Sequence, residues 1–175
     1  IKKLFQKEEL VYDLKQKTAA TIEIQAPSIK EVALFKLKSV KTNFNNSYFV
    51  EDAGFFIDDP LKGFPGVYSK FVFNTIGNNG IIKLINSYGN TAAHFEAVIA
   101  LYFQPLDKIF TFEGSVEGKV SKEIKGTSGF GYDPIFIPNE LPNNTFGELS
   151  TEEKNSISHR AKAWQKLLIF LKKYQ

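Results

Sequence analysis

Two long extended segments, residues 91–103 and 108–120, dominate what this chain can fold into. Both are dense in β-branched and aromatic residues, which suit a pleated, packed surface. The four residues between them, QPLD, carry the Pro and Asp of a tight turn. A hairpin of that length implies a sheet, and the other segments must supply helices to cover it.

Residues 1–16 read as a helix that buries Ile1, Leu4, Phe5 and Val11. TIEIQ, residues 21–25, alternates and predicts a short strand. Ser28 is placed to cap a helix over 28–41, with Glu31 closing a capping box. Ile29, Val32, Ala33, Leu37 and Val40 form its apolar face. Residues 47–57 (SYFVEDAGFFI) predict a strand, an interruption at Gly54 and a second short strand; KGFPGVYS, 62–69, reads as a loop. A helix over 78–88 stops at Gly89. The last helix starts at Ser150 with Glu153 in a capping box. Ile157, Ala161, Trp164, Leu168 and Leu171 make its packing stripe, which leaves Trp164 without a functional role. With no repeat and no low-complexity linker, residues 1–175 predict a single α/β domain, its helices flanking a sheet rich in antiparallel pairing.

Composition excludes several chemistries. With no cysteine there is no disulfide, zinc–thiolate site or cysteine nucleophile. No apolar run approaches the roughly 18 residues of a membrane span, and the charged start IKKLFQKEEL is not a signal peptide. A cytoplasmic location without a membrane partner is expected. Net charge is +3, from 22 Lys and Arg against 19 Asp and Glu, too mild to imply a nucleic-acid partner.

Three groups of residues carry chemistry. Glu51 and Asp52 sit at the end of an apolar stretch before Gly54, where carboxylates suit Mg²⁺, a hard cation that takes oxygen ligands. Adjacent residues on a strand point to opposite faces, so only one need enter a site. Glu31 offers a third carboxylate, or else a helix cap. The loop GTSGFGYDP, residues 126–134, has three glycines in six residues, so its backbone can approach a flat ligand. Phe130 and Tyr132 offer faces for a base to stack on, and Asp133 can accept hydrogen bonds from a purine edge; the same loop can also be a turn that buttresses the hairpin. Lys154, His159 and Arg160 supply cations for purine carbonyls or phosphate, although a helical His is often simply packed. His94 receives no role. There is no phosphate-binding glycine loop, no defensible Ser-His-Asp order and no His cluster for zinc. A metal-activated water attacking phosphorus fits these residue types best.

In this order, VEDAGFFIDDPLKGFPGVYS (50–69), GTSGFGYDPIFIP (126–138) and ELSTEEKNSISHRAKA (148–163) resemble the inosine triphosphate pyrophosphatase family. EIQAPSIKEVALFKLKSV (23–40) is similar to the family's metal-ligand helix, and the likeness spans nearly the whole chain. The resemblance implies an elongated mixed sheet with two lobes around a nucleotide cleft, and homodimers. It implies Mg²⁺-assisted water attack on the α-phosphorus of ITP, dITP or XTP, giving a monophosphate and pyrophosphate. It makes Asp52 the catalytic carboxylate and a metal ligand, Glu31 a second ligand, and Glu51 a support for the metal site. Phe130 would stack on the base. Ala53, Gly131, Tyr132, Asp133, Lys154, His159 and Arg160 would complete substrate binding.

Two departures follow. The family opens with a strand and a Ser/Thr-x-Asn-x-x-Lys loop that grips the triphosphate, whereas this sequence begins at Ile1 on what reads as the following helix. Residues 1–175 alone are therefore expected to turn over little substrate, and a non-catalytic nucleotide-binding module stands as the alternative. Ala53 also stands where many members have Ser.

Overall fold

The computed structural model describes residues 2–40 and 44–175. Its sheet has the order β2-β1-β3-β4-β5, with β1 at Tyr48–Ile57, β2 at Phe64–Gly66, β3 at Ala92–Phe103, β4 at Lys108–Val120 and β5 at Phe136–Pro138. Among the described residues every pairing is antiparallel, so the sheet is not mixed in direction. The predicted hairpin is β3–β4, in register from Ala92↔Lys119 to Phe103↔Lys108. Its turn is a single 3₁₀ turn, Gln104–Leu106, closed by Asp107 in the left-handed region at φ 48.

Among the described residues, six helices accompany the sheet: α1 Lys2–Lys7, α2 Ile29–Ser39, α3 Ser69–Thr75, α4 Gly77–Ile85, α5 Thr151–Ile157 and α6 His159–Lys173. Helix α2 covers one face through Ile29, Ala33 and Leu37, which meet Val98 and Ala100 of β3. The opposite face carries two clusters, divided partway along β3. Ala93 and Phe95 pack with α3, α4 and the 132–149 segment. Ala97, Ile99, Leu101 and Phe103 pack with Trp164, Leu167, Leu168 and Leu171 of α6. Among the described residues no helix is long and apolar enough to cross a membrane.

Five local expectations need correction. The 62–69 stretch is not all loop: it holds β2, Phe64–Gly66, and Ser69 opens α3. The first helix ends at Lys7 instead of running to 16. Beyond it Leu10, Tyr12 and Leu14 pack against the α6 cluster while Val11 is 76% exposed. That is a period of two, and Tyr12 anchors it by donating its hydroxyl to the Tyr174 carbonyl at 2.8 Å. Phe5 is buried as expected; Ile1, the side chain of Leu4 and position 41 lie outside the described residues. Residues 21–25 form no strand: the segment's backbone bond runs from the Ile22 N–H to Ser39 Oγ, not to a neighbouring strand.

The interruption at Gly54 is also absent, since β1 continues through it. A Cβ there would stand 2.8 Å from both the Gly66 carbonyl oxygen and Ile29 Cδ1. The glycine therefore admits β2 and α2 close to the strand, which is a packing requirement and not a break. Lastly, Ser158 splits the C-terminal helix. It ends α5 with extended backbone and caps α6, accepting from the Ala161 N–H at 3.2 Å. The predicted cap at Ser150 forms in full, as a capping box with Glu153. Ser28 caps α2 by accepting from the Glu31 N–H, but the expected Glu31 half of its capping box does not form, since that carboxylate meets the Ser28 hydroxyl.

Candidate active site

Strand alternation sends the acid pair to opposite faces. Asp52 turns toward α2, where Lys36 Nζ donates to its Oδ1 at 2.7 Å and also lies 3.0 Å from Glu23. The second oxygen, Oδ2, is buried without a hydrogen-bond partner among the described residues. Burial raises the Asp52 carboxyl above the usual carboxylate range; Lys36 opposes this, while Glu23 and Glu51 add to it. Burial pulls the Lys36 ammonium down, but its hydrogen bonds to Asp52 and Glu23 outweigh that, and it stands above the ordinary lysine value.

Glu31, the ligand expected from α2, makes no hydrogen bond or ion pair with Asp52, Lys36 or Glu23 among the described residues. It is exposed on the first turn, and its carboxylate accepts from the Ser28 hydroxyl at 3.3 Å. Glu23, from the irregular segment before the helix, meets Lys36 instead. Sequence reasoning missed both Glu23 and Lys36. A signal for Lys36 existed: it falls at helical spacing inside the stripe Ile29, Val32, Ala33, Val40, and a lysine there needs a partner.

The glycine loop forms the second part of the site. Gly126, Gly129 and Gly131 all have positive φ. A Cβ at Gly129 would overlap Asp133 Oδ2, so this position must be glycine for the loop to close on its own carboxylate. That carboxylate is buried, accepting from the Phe130 N–H at 2.6 Å and from Lys154 at 2.5 Å. The Phe130 ring is thereby held outward, 62% exposed, with Lys154 Nζ 4.7 Å and Arg160 Cζ 4.9 Å from its centroid. Tyr132 points inward instead. It stacks on Phe55 at 4.8 Å and donates its hydroxyl to the Ser69 carbonyl at 2.9 Å, so it braces the loop and offers no face to a base. Gly131 is tied from α4, where Asn78 Nδ2 donates to its carbonyl at 3.1 Å.

The α5–α6 junction brings the parts together. Arg160 Nε donates to Glu51 Oε1 at 2.5 Å, so one side chain touches both Glu51 of β1 and the Phe130 ring. Ala53, two residues along the same face, packs into the α6 cluster. His159 is buried and stacked on Phe95 at 4.8 Å, with Nδ1 unpartnered among the described residues. Burial, then Arg160, Lys154 and Lys162, push its pKa down to about 3. The expectation of a cationic His159 is therefore wrong: it is a neutral imidazole in a pocket walled by an aromatic ring.

This shift predicts a pH dependence of stability. The unfolded chain binds the His159 proton below about 6.5 while the folded chain resists it until about 3. The contribution of a neutral His159 is thus complete above pH 6.5 and is lost as pH falls toward 3. Urea titrations between these limits should show a shallower acid decline for His159→Phe than for the wild type. Parallel declines would mean that His159 does not control it.

The profile of the Ham1 family matches residues 1–170. This chain belongs to the Ham1 family. It is 44% identical over 162 residues to the dITP/XTP pyrophosphatase of Thermococcus kodakarensis, covering 93% of this chain and 84% of that protein. The dITP/XTP pyrophosphatase of Pyrococcus horikoshii is 45% identical over 150 residues, covering 86% and 78%. Among solved structures, the Coxiella burnetii HAM1 protein superposes with a TM-score of 0.81 at 28% identity, covering 98% of this chain and 94% of its own. The Staphylococcus aureus Ham1 protein gives 0.77 at 32% identity, covering 90% and 82%.

Proposed function

We propose that this Ham1-family chain hydrolyses non-canonical purine nucleoside triphosphates (ITP, dITP and XTP) to the monophosphate and pyrophosphate. The observation that carries the reading is the exposed Phe130 ring, set between two cations beside a paired-carboxylate strand. A purine stacked on Phe130 would lie within reach of Lys154 and Arg160. Both groups donate hydrogen bonds, which suits a 6-oxo acceptor and not the 6-amino donor of adenine. A donor left unpaired in such a pocket costs about 1–3 kcal/mol, so ATP should be a poor substrate.

The donor set fits a hard divalent ion. Asp52 keeps a buried, unpartnered oxygen, and Glu23 and Glu51 stand close enough to raise its pKa. We assign Asp52 and Glu23, on the α2 face of β1, to hold Mg²⁺, while Glu51 adds negative charge from the opposite face. Bound there, the ion would polarise the phosphate and lower the pKa of water. Asp52 Oδ2, which has no other hydrogen-bond partner among the described residues, is suited to accept the proton of the attacking water. Lys36 keeps Asp52 and Glu23 from repelling each other and sets a positive charge beside them for phosphate oxygens. Asp133 orients Lys154 and, through the Phe130 N–H, the stacking ring. A homodimer and a cytoplasmic location complete the reading.

The test is to incubate the natural full-length protein with Mg²⁺ and ITP and to separate the products. IMP with pyrophosphate is expected. Orthophosphate would overturn attack at the α-phosphorus, and binding without any product would mark a nucleotide-binding module of the same fold. Phe130→Ala should raise KM for ITP about 5- to 150-fold, the worth of one stacked base, with kcat changed far less. An unaltered KM would remove Phe130 from the base site.

A further inference from the structure

A second group of ligand-type side chains lies far from the site described above. The register aligns Phe56 of β1, His94 of β3 and Glu117 of β4 side by side across the sheet, and Asp58 follows directly after the end of β1. One ligand atom from each of Asp58, His94 and Glu117 lies within 4.8 Å of the other two. Strand geometry puts this group about 20 Å along β1 from Asp52, six residues at ~3.3 Å each.

The imidazole is held from two sides. It stacks on Phe56 with centroids 4.7 Å apart and planes 2° from parallel. Its Nδ1 lies 2.8 Å from Asp58 Oδ1. Glu117 has no ion-pair partner among the described residues, and neither carboxylate meets a lysine or arginine there. An imidazole flanked by two carboxylates makes a pre-set N,O,O arrangement of donor atoms. Asp58 and His94 also line an open cleft of about 870 Å³ between β1, β2 and the 25–27 segment, so the group is reachable from solvent.

We infer that Asp58, His94 and Glu117 form a second cation site, for a divalent first-row transition ion of the Zn²⁺ or Mn²⁺ type. Mg²⁺ and Ca²⁺ take oxygen ligands, whereas an imidazole with two carboxylates suits these ions. Zn–N and Zn–O bonds are about 2.0–2.2 Å, so ligand atoms around a tetrahedral ion stand about 3.4 Å apart. That spacing is reached by rotating the exposed Asp58 and Glu117 side chains. The ion would pin the end of β1 to β3 and β4.

Zn²⁺ binding is measured by calorimetry on the Asp52→Asn protein without nucleotide, which removes the proposed catalytic ligand from the count. One Zn²⁺ per chain is expected, with Mg²⁺ failing to compete. His94→Gln and Glu117→Gln should each weaken binding at least tenfold, the size expected when a metal site loses a directly bound or orienting group. Circular dichroism checks that both variants fold. The chain has only two histidines, so imidazole NMR reads the site directly: Zn²⁺ should shift the His94 resonances and leave buried His159 unmoved. Absence of binding, unchanged affinity in both variants, or an unmoved His94 would each overturn the proposal. None of these outcomes depends on turnover of ITP.

Discussion

Asp52→Asn should lower turnover of ITP about 10³-fold, within the range that positioned proton transfer supplies, while nucleotide binding changes by no more than a few-fold. The substitution keeps the shape of the side chain but removes the charge that faces Lys36 and the basic oxygen that has no other partner among the described residues. The base half of the site lies on the other face of β1 and keeps its contacts: Arg160 with Glu51, and Lys154 with Asp133. Stability should hold or rise, since burial already penalises the Asp52 charge and Lys36 retains Glu23. Single-turnover kinetics beside ITP calorimetry and thermal melting would separate these effects. Full activity in Asp52→Asn would refute its role; lost activity with lost folding would make it structural.

Gly114→Val should be strongly damaging although it lies outside the site. A Cβ at Gly114 would overlap the His159 carbonyl oxygen and sit 2.5 Å from the Ala163 amide nitrogen. Both are backbone atoms of α6, so no side chain can swing aside and the helix itself must lift from β4. Overpacking of this kind costs about 1–3 kcal/mol and occasionally more. At about 2–4 °C per kcal/mol for a domain of this size, melting should fall by roughly 2–12 °C. Activity should fall with it even below the melting point, because His159 and Arg160 ride on the displaced first turn of α6. Gly89→Ala is the control: nothing lies within 4 Å of its Cβ position, and its melting temperature should scarcely move. Equal effects at both positions would show that helix α6 does not rely on close approach at Gly114.

The elements whose pattern is local are legible in the amino-acid sequence. The β3–β4 hairpin, the apolar stripe of α2 and the cap at Ser150 follow from periodicity, turn residues and hydrogen-bonding side chains within a few positions of one another. The misread elements are those whose outcome depends on distant partners. Leu10, Tyr12 and Leu14 bury alternately because a groove beside α6 accepts an extended chain. Residues 21–25 have strand-like composition but pair with no strand among the described residues. Gly54 resembles a break, yet it serves the approach of Gly66 and Ile29 from elsewhere in the chain.

The same division runs through the active site. Residue types and short spacings are enough to supply the chemical inventory: a carboxylate pair on a strand, a glycine loop that exposes one aromatic ring, and basic residues at a capped helix start. Which member does what depends on how the chain packs. Packing turns Tyr132 inward as a brace and makes His159 neutral by burial. It leaves Glu31 on the surface, brings Glu23 and Lys36 to Asp52, and lets Arg160 join Glu51 to Phe130. Each of those outcomes rests on burial or on a contact between residues far apart in the chain, and neither is encoded in any local stretch of it.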